Sequence, residues 1–272
     1  MPVIDTPLDN GVDLGAVAAI RDGLAAYEFE PFFQPIVRLS DASLVGFEAL
    51  ARWRHAERGL VEPADFIVLA EANGLIRAID AVILDRAWHA FDEALAAAAR
   101  PSSPMTLSVN LSAAHLLDGA IVERIRGLIA SEHGTRLQFE ITETLLIKDH
   151  DAAGQVMQQL KAMGVSFALD DFGTGYSSLV YLHRLPIDCI KIDRSFSEAI
   201  LTSERSHAIV RSIVGLAHSM GLRAVAEGVE EEDVAEALIG LGCEYGQGLY
   251  FGCPVPASGL IAYLERSVRQ VG

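Results

Sequence analysis

The sequence predicts one large α/β domain, a barrel of eight mostly parallel strands alternating with helices. Three observations lead there. Short apolar, β-branched runs alternate with longer stretches of helical spacing from about residue 28 onward. Eight such runs occur, which favours a closed barrel over an open doubly wound sheet. The 272 residues, 51% of them hydrophobic, are enough for one core, and no low-complexity tract or Pro/Gly/Ser-rich linker divides them.

In chain order, the first dozen residues read as a frayed end, and Asp13 to Tyr27 carries apolar residues at helical spacing. Residues 1–28 are expected to be an N-terminal extension or linker with a helix, and residues 29–272 the barrel domain. The first two strands are FFQPIVRL from Phe32 and LVGFEALARW from Leu44. Only Ser40 to Ser43 separates them, too short for a parallel crossover, so they should form an antiparallel hairpin. A helix over Ile76 to Ala99 leads to the strand MTLSVNLS from Met105, and a helix over Ser112 to Ile129 leads to LQFEITE from Leu137. A helix over Ala152 to Met163 precedes VSFALDD from Val165, which is followed by IDCIKID from Ile187. A helix over Ser197 to Met220 precedes LRAVAEGVE from Leu222, and a helix over Glu231 to Leu241 precedes CEYGQGLYF from Cys243. The expected fold is a TIM-like (β/α)8 barrel whose first strand is antiparallel.

Composition narrows the function. No apolar run approaches the roughly 20 residues that span a bilayer, and the start MPVIDTPLDNGVDLGA lacks the features of a signal peptide, so a cytoplasmic protein without a membrane span is expected. Cys189, Cys243 and Cys253 have neither disulfide nor zinc-site spacing and read as reduced, buried thiols. A net charge of −16, from 21 basic and 37 acidic side chains, argues against DNA or anionic membrane as partner. A polyanionic substrate would need local positive charge, which metal ions held by acidic side chains supply.

Each later strand turns polar near its C-terminal end: Asn110, Glu140, Asp170 and Asp171, Lys191, Glu227 and Gln247, with Glu48 joining from the second strand. In a parallel barrel these ends share the rim that carries active sites. Parity agrees, because Leu107, Val109, Phe167, Leu169, Ile190 and Ile192 alternate with Ser108, Ala168 and Cys189, so Asn110, Asp170 and Lys191 should point into the barrel. Asn110, Glu140 and Asp170 also recur at 30-residue intervals, near the length of one βαβ unit.

Five carboxylates and an amide oxygen at one mouth call for cations, and hard oxygen ligands select Mg²⁺ or Mn²⁺ over zinc. Asp170 and Asp171 suit a pair of ions about 3.5 to 4 Å apart, as used for in-line displacement at phosphorus. Lys191 is either an ion-pair partner or the group that positions the attacking water. Arg52, on the same strand face as Glu48, suits phosphate but equally a surface salt bridge. DDFGTGYSSL, from Asp170, has no Walker lysine and reads as a mobile loop beside the metals. The eight histidines are scattered, and the acidic residues at 230–233, like Asp149 and Asp151, read as helix starts.

In the segments FFQPIV, GFEALARW, LSVNLS, FEITET, ALDDFGTGYSSL, LPIDCIKID, AVAEGVE and YGQGLYF the chain closely resembles the EAL domain family, from about Phe32 to Pro256. The resemblance implies a cyclic di-GMP-specific phosphodiesterase on a barrel with an antiparallel first strand, yielding linear 5′-pGpG. It implies that Glu48, Asn110, Glu140 and Asp170 bind one metal, and that Asp170, Asp171 and Glu227 contribute to the second. Lys191 and Gln247 would contact the catalytic water or waters on the metals. Arg52 and Gln34 would touch the dinucleotide, with Asp193 and Glu230 as neighbours. Glu143 would anchor the loop Asp171 to Ser178, which couples homodimerisation to activity. A sensory or GGDEF domain, fused or interacting, is a further implied partner. Ala56, where many members have proline, and Gly252, where serine is frequent, depart from the pattern away from the proposed ligands. The expected reaction is attack of a water, activated between the two ions, on one phosphorus in line with the departing ribose 3′ oxygen. Two rivals are a silent cyclic di-GMP receptor, against which the intact ligand set counts, and an enolase-like barrel enzyme, which only the resemblance separates.

Overall fold

In the computed structural model, which describes residues 14–98, 104–129, 135–142, 150–173, 182 and 184–270, the chain opens with helix α1 (Leu14–Ala25). Its Val17 and Ile20 are buried, and Ile20 belongs to the main core. Strands β1 (Phe29–Arg38) and β2 (Leu44–His55) then form the expected antiparallel hairpin, with Gln34 opposite Glu48. A short β3 (Gly59–Val61) extends β2.

The ring continues through β4 (Thr106–Asn110), β5 (Arg136–Thr142), β6 (Ser166–Phe172), β7 (Cys189–Ile192), β8 (Arg223–Ala226) and β9 (Tyr245–Gln247). From β2 through β4 to β9, each strand pairs in parallel with the next. Strand β1 closes the barrel, running antiparallel to both β2 and β9. A two-residue β10 (Val255–Pro256) adds to the side of β1. This is the eight-stranded barrel with a reversed first strand that the sequence predicts.

Side-chain parity sorts the strands into two apolar sets. Leu107, Val109, Phe139, Phe167, Leu169, Ile190 and Ile192 face outward into the core shared with the helices. Inside lies a small separate cluster of Ile36, Ala168, Cys189 and Val225, which fills the barrel below the polar rim. Helix α3 (Ile76–Ala97), which follows α2 (Ile67–Ala72), shows how the outer layer forms. Its buried Ile76, Ile79, Ile83, Ala87, Phe91, Ala94 and Leu95 recur every three or four positions and make one apolar stripe. Asp80 lies on that buried face and accepts a hydrogen bond from the Ser112 amide at 3.0 Å.

Two predicted helices are each divided by a new start. The stretch from Ser112 is split into α4 (Ala113–Leu116) and α5 (Ala120–Leu128), with the Ser112 side chain accepting from the His115 amide. The stretch from Ser197 is split into α7 (Arg194–Glu198) and α8 (Glu204–Ser219), because Ser203 caps a fresh helix through the Ser206 amide. Between them in sequence lies α6 (His150–Ala162), which carries Asp151 in its first turn as expected. Glu232 and Asp233 occupy the first turn of α9 (Glu232–Gly240). The closing helix α10 (Leu260–Gln270) was not expected from the sequence.

Cys189 and Cys243 are buried free thiols, and burial pushes both up to about 12. Cys253 is exposed, contrary to expectation, since it follows β9 in the surface connection to β10. Among the described residues no helix is long and apolar enough to cross a membrane. The expected frayed start, Ala99, Asp149, Glu143 and the loop beyond Gly173 lie outside the described residues.

Candidate active site

Lys191 stands at the centre of the upper barrel, 1% exposed. Its Nζ lies 2.5 Å from Glu140 Oε2, 2.5 Å from Glu227 Oε1, and 3.3 Å from both Glu48 Oε2 and Asp170 Oδ1. Strands β2, β5, β6 and β7 and the turn directly after β8 thus send charged side chains to the same point. β4 adds Asn110, whose Nδ2 donates to Glu48 Oε1 at 2.9 Å. β9 adds Gln247, whose Nε2 donates to Glu48 Oε2 at 2.7 Å and to Gln34 Oε1 at 2.9 Å. Gly248 allows that approach, because a Cβ there would lie 2.1 Å from the Val229 carbonyl oxygen, so the turn after β9 packs directly on the turn after β8.

Asp170 and Asp171 are neighbours in a strand and would ordinarily face opposite ways. Asp171 instead has φ 53, and the β6/β7 pairing shifts register between Leu169 and Phe172. The left-handed residue breaks the alternation, and carboxylate oxygens of Asp170, Asp171 and Glu227 all come within 4.8 Å of one another. Holding a residue with a side chain in this conformation costs about 1 to 2 kcal/mol, although aspartate is among those that tolerate it best.

The electrostatics follow from one cation among five acids. Burial alone would lower the Lys191 ammonium, but Asp170, Glu140, Glu227 and Glu48 outweigh it and hold its pKa well above the ordinary lysine value. Burial opposes ionisation of Glu48 too, yet Lys191, Gln247 and Asn110 together keep its carboxyl below the usual range. Glu140 goes the other way, driven well up by burial and by Glu48. Burial lifts Glu227 to about 8, and burial with Asp170 and Asp193 raises Asp171. The cluster holds more negative charge than Lys191 can balance.

The donor set fits hard divalent cations. It is all oxygen, three of its carboxylates converge, and among the described residues Gln247 Oε1 is buried without a hydrogen bond and Asp170 Oδ1 meets only the Lys191 ammonium at 3.3 Å. Such acceptors have lone pairs to spare for an ion or its waters.

The remaining predicted residues sit less centrally. Arg52 is buried, pairs with Glu62 Oε2 at 3.0 Å, donates to the Ala51 carbonyl at 2.9 Å and lies over the Phe32 ring. Its salt bridge is therefore with the segment after β3 rather than with the central acids. Asp193 accepts from the Ser195 amide at 3.0 Å as the cap of α7. Glu230 is exposed. Glu143 and residues 174–178 of the loop lie outside the described residues. A row of inward polar residues lies below Glu140; parity placed Ser108 there, while Gln138 and Arg223, which join it, escaped the sequence reading. For Gln138 the available signal was the same parity: Ser108 and Gln138 stand two positions before Asn110 and Glu140.

A family model described as EAL domain matches residues 17–254. Among curated relatives, an uncharacterized signaling protein of Caulobacter vibrioides is 42% identical over 89% of this chain and 29% of its own length. The cyclic di-GMP phosphodiesterase RocR of Pseudomonas aeruginosa is 36% identical over 94% of this chain and 64% of its own length. The first four such relatives are matched over only 29%, 29%, 31% and 35% of their lengths, so this chain spans about a third of each. A solved structure titled PaMucR phosphodiesterase, c-di-GMP complex, superposes with a TM-score of 0.83 at 38% identity, covering 91% of this chain and 100% of that one.

Proposed function

We propose, from the premise that this chain belongs to the EAL domain family, that it hydrolyses cyclic di-GMP to linear 5′-pGpG with the help of divalent cations. The observation that carries the reading is the meeting of Glu48, Glu140, Asp170 and Glu227 around Lys191 at the C-terminal mouth of the barrel. Substrate identity is supported by relatives named cyclic di-GMP phosphodiesterases at 36 to 38% identity, RocR and NbdA among them, and by the solved complex with that dinucleotide.

Glu48, Asn110, Glu140 and Asp170 would hold one Mg²⁺ or Mn²⁺, and Asp170, Asp171 and Glu227 the second. The Asn110 Nδ2 is committed to Glu48, which leaves its Oδ1 as the ligating atom. Bound there, the cations supply Lewis acidity toward water and offset the negative charge of the phosphodiester. A water oxygen attacks phosphorus while the bond to the ribose 3′ oxygen breaks, leaving a 5′ phosphate. Lys191, kept protonated by its acidic neighbours, sets a fixed positive charge beside the reacting phosphoryl group and orients the water. Gln247 holds Glu48 and reaches toward Gln34, so the two glutamines line the mouth where the dinucleotide enters. Arg52 would trade its exposed partner Glu62 for a substrate phosphate, and Asp193 and Glu230 border the same rim.

The reading extends to a homodimer, to a loop from Asp171 to Ser178 anchored by Glu143 that senses it, and to a sensory or GGDEF domain as partner. The domain division at residues 28 and 29 is part of the same proposal. The deciding experiment incubates the purified chain with cyclic di-GMP and Mg²⁺ or Mn²⁺ and separates the products by chromatography. Linear 5′-pGpG is expected. Recovery of intact dinucleotide from protein shown to bind the metal would overturn hydrolysis and leave a receptor.

A further inference from the structure

We propose that Arg223, Gln138 and Ser108 are positioning residues that aim Glu140 at the metals through a one-way row of hydrogen bonds crossing the barrel interior. The inference rests on the reading that Glu140 is a metal ligand. Arg223 Nη2, on β8, donates across the barrel to Gln138 Oε1 on β5 at 3.3 Å. Gln138 Nε2 donates to Ser108 Oγ on β4 at 3.1 Å, and Ser108 Oγ donates to Glu140 Oε1 at 2.5 Å.

The direction is forced as far as Ser108, and its last step follows when Glu140 is ionised, as a metal ligand must be. A guanidinium has only donors, so the Gln138 atom facing it must be the carbonyl oxygen, and the amide nitrogen is turned toward Ser108. A hydroxyl that accepts on that side has a single proton left, and it goes to the carboxylate. Ser108 is fully buried and Gln138 is 4% exposed, so bulk water cannot replace a broken link, and an unmet polar group here is costly.

The consequence falls on Glu140. Its Oε1 is occupied from below by Ser108, while Oε2 faces Lys191 and the mouth. The carboxylate cannot rotate without breaking the lower bond, so the oxygen offered upward is always the same one. Outer partners of this kind typically change metal affinity or activity by about 10- to 100-fold.

The test is Mn²⁺ binding, read by the electron paramagnetic resonance of free Mn²⁺, in the full chain and in S108A and Q138E. Gln138→Glu is nearly isosteric and still satisfies Arg223, but it presents an acceptor to Ser108 and draws that hydroxyl proton away from Glu140. Both variants should raise the Mn²⁺ Kd about tenfold while keeping the wild-type circular dichroism, and S108A, which leaves the Gln138 amide without its acceptor, should also lower the metal-free denaturation midpoint. Turnover should recover more at saturating than at limiting metal. A purely space-filling role instead predicts wild-type affinity for Q138E, which adds an ion pair to Arg223. Wild-type affinity in both folded variants overturns the inference and leaves the metal reading standing. Absence of Mn²⁺ binding by the wild-type chain overturns both.

Discussion

At the scale of single residues, the central acids and Asp80 make different claims. Glu48→Ala or Asp170→Ala should lower turnover by about a thousandfold, checked by product formation at saturating Mg²⁺ with folding verified by circular dichroism. Near-normal hydrolysis by either would refute its role. Arg52→Ala should raise KM about tenfold with a smaller effect on kcat, since a group that binds ground and transition states alike shows in KM. Asp80 is a structural titration: burial raises its carboxyl to about 6, so the native state binds its proton more tightly than the unfolded chain does. That contribution is fully present below about pH 4 and is lost as pH rises through about 6. The neighbouring His115 runs the opposite way, being pushed down by burial to about 4, so its contribution is lost as pH falls from about 6.5. The stability of Asp80→Asn relative to wild type should therefore climb by about 2 kcal/mol between pH 4 and pH 6.5, measured by urea denaturation. An unchanged difference across that window would sink the assignment. None of this was legible in the sequence, where Asp80 is one acid among 37. The rim acids were legible because each ends an apolar run. The pairing of Arg52 with Glu62 was not, because it depends on β3 folding back along β2.

At the scale of elements, the reading succeeded where a period decided the matter. Alternation of two along β4, β6 and β7 separated outward from inward side chains, and the structure shows those two sets as distinct clusters. It failed where a single residue interrupts the period. The serine cap at 203 and the restart at Ala120, whose cap Gly119 makes no side-chain hydrogen bond, begin new helices inside predicted ones, and such signals are a few residues long against an apolar pattern of twenty or so. Asp171 is the other interruption, and its left-handed turn depends on contacts that spacing cannot report. It yields a test at the end of β6. Asp171→Ala should be about 1 kcal/mol less stable than Asp171→Asn, because asparagine tolerates this backbone and alanine does not, while both lose activity. Equal denaturation midpoints would show that the turn carries no strain.

At the scale of the whole molecule, the excess of acid around one lysine means that ions and folding should be linked. Mg²⁺ or Mn²⁺ at about 100 times its Kd should stabilise the chain by about 2.7 kcal/mol, seen as a rise in Tm that a chelator reverses and that Asp170→Ala lacks. Fold class was legible at this scale because eight runs and one short hairpin leave few ways to close a ring. The order of events in making that ring follows from the reversed first strand. β1 touches β9, and Gln34 meets Gln247 across 213 positions of chain. An emerging polypeptide therefore holds the first barrel strand ready for a partner that is the last of the eight to be synthesised. Until then one flank of the growing sheet stays open to intruders, so chaperone dependence and slow, late acquisition of protease resistance are the expected signature of its biogenesis.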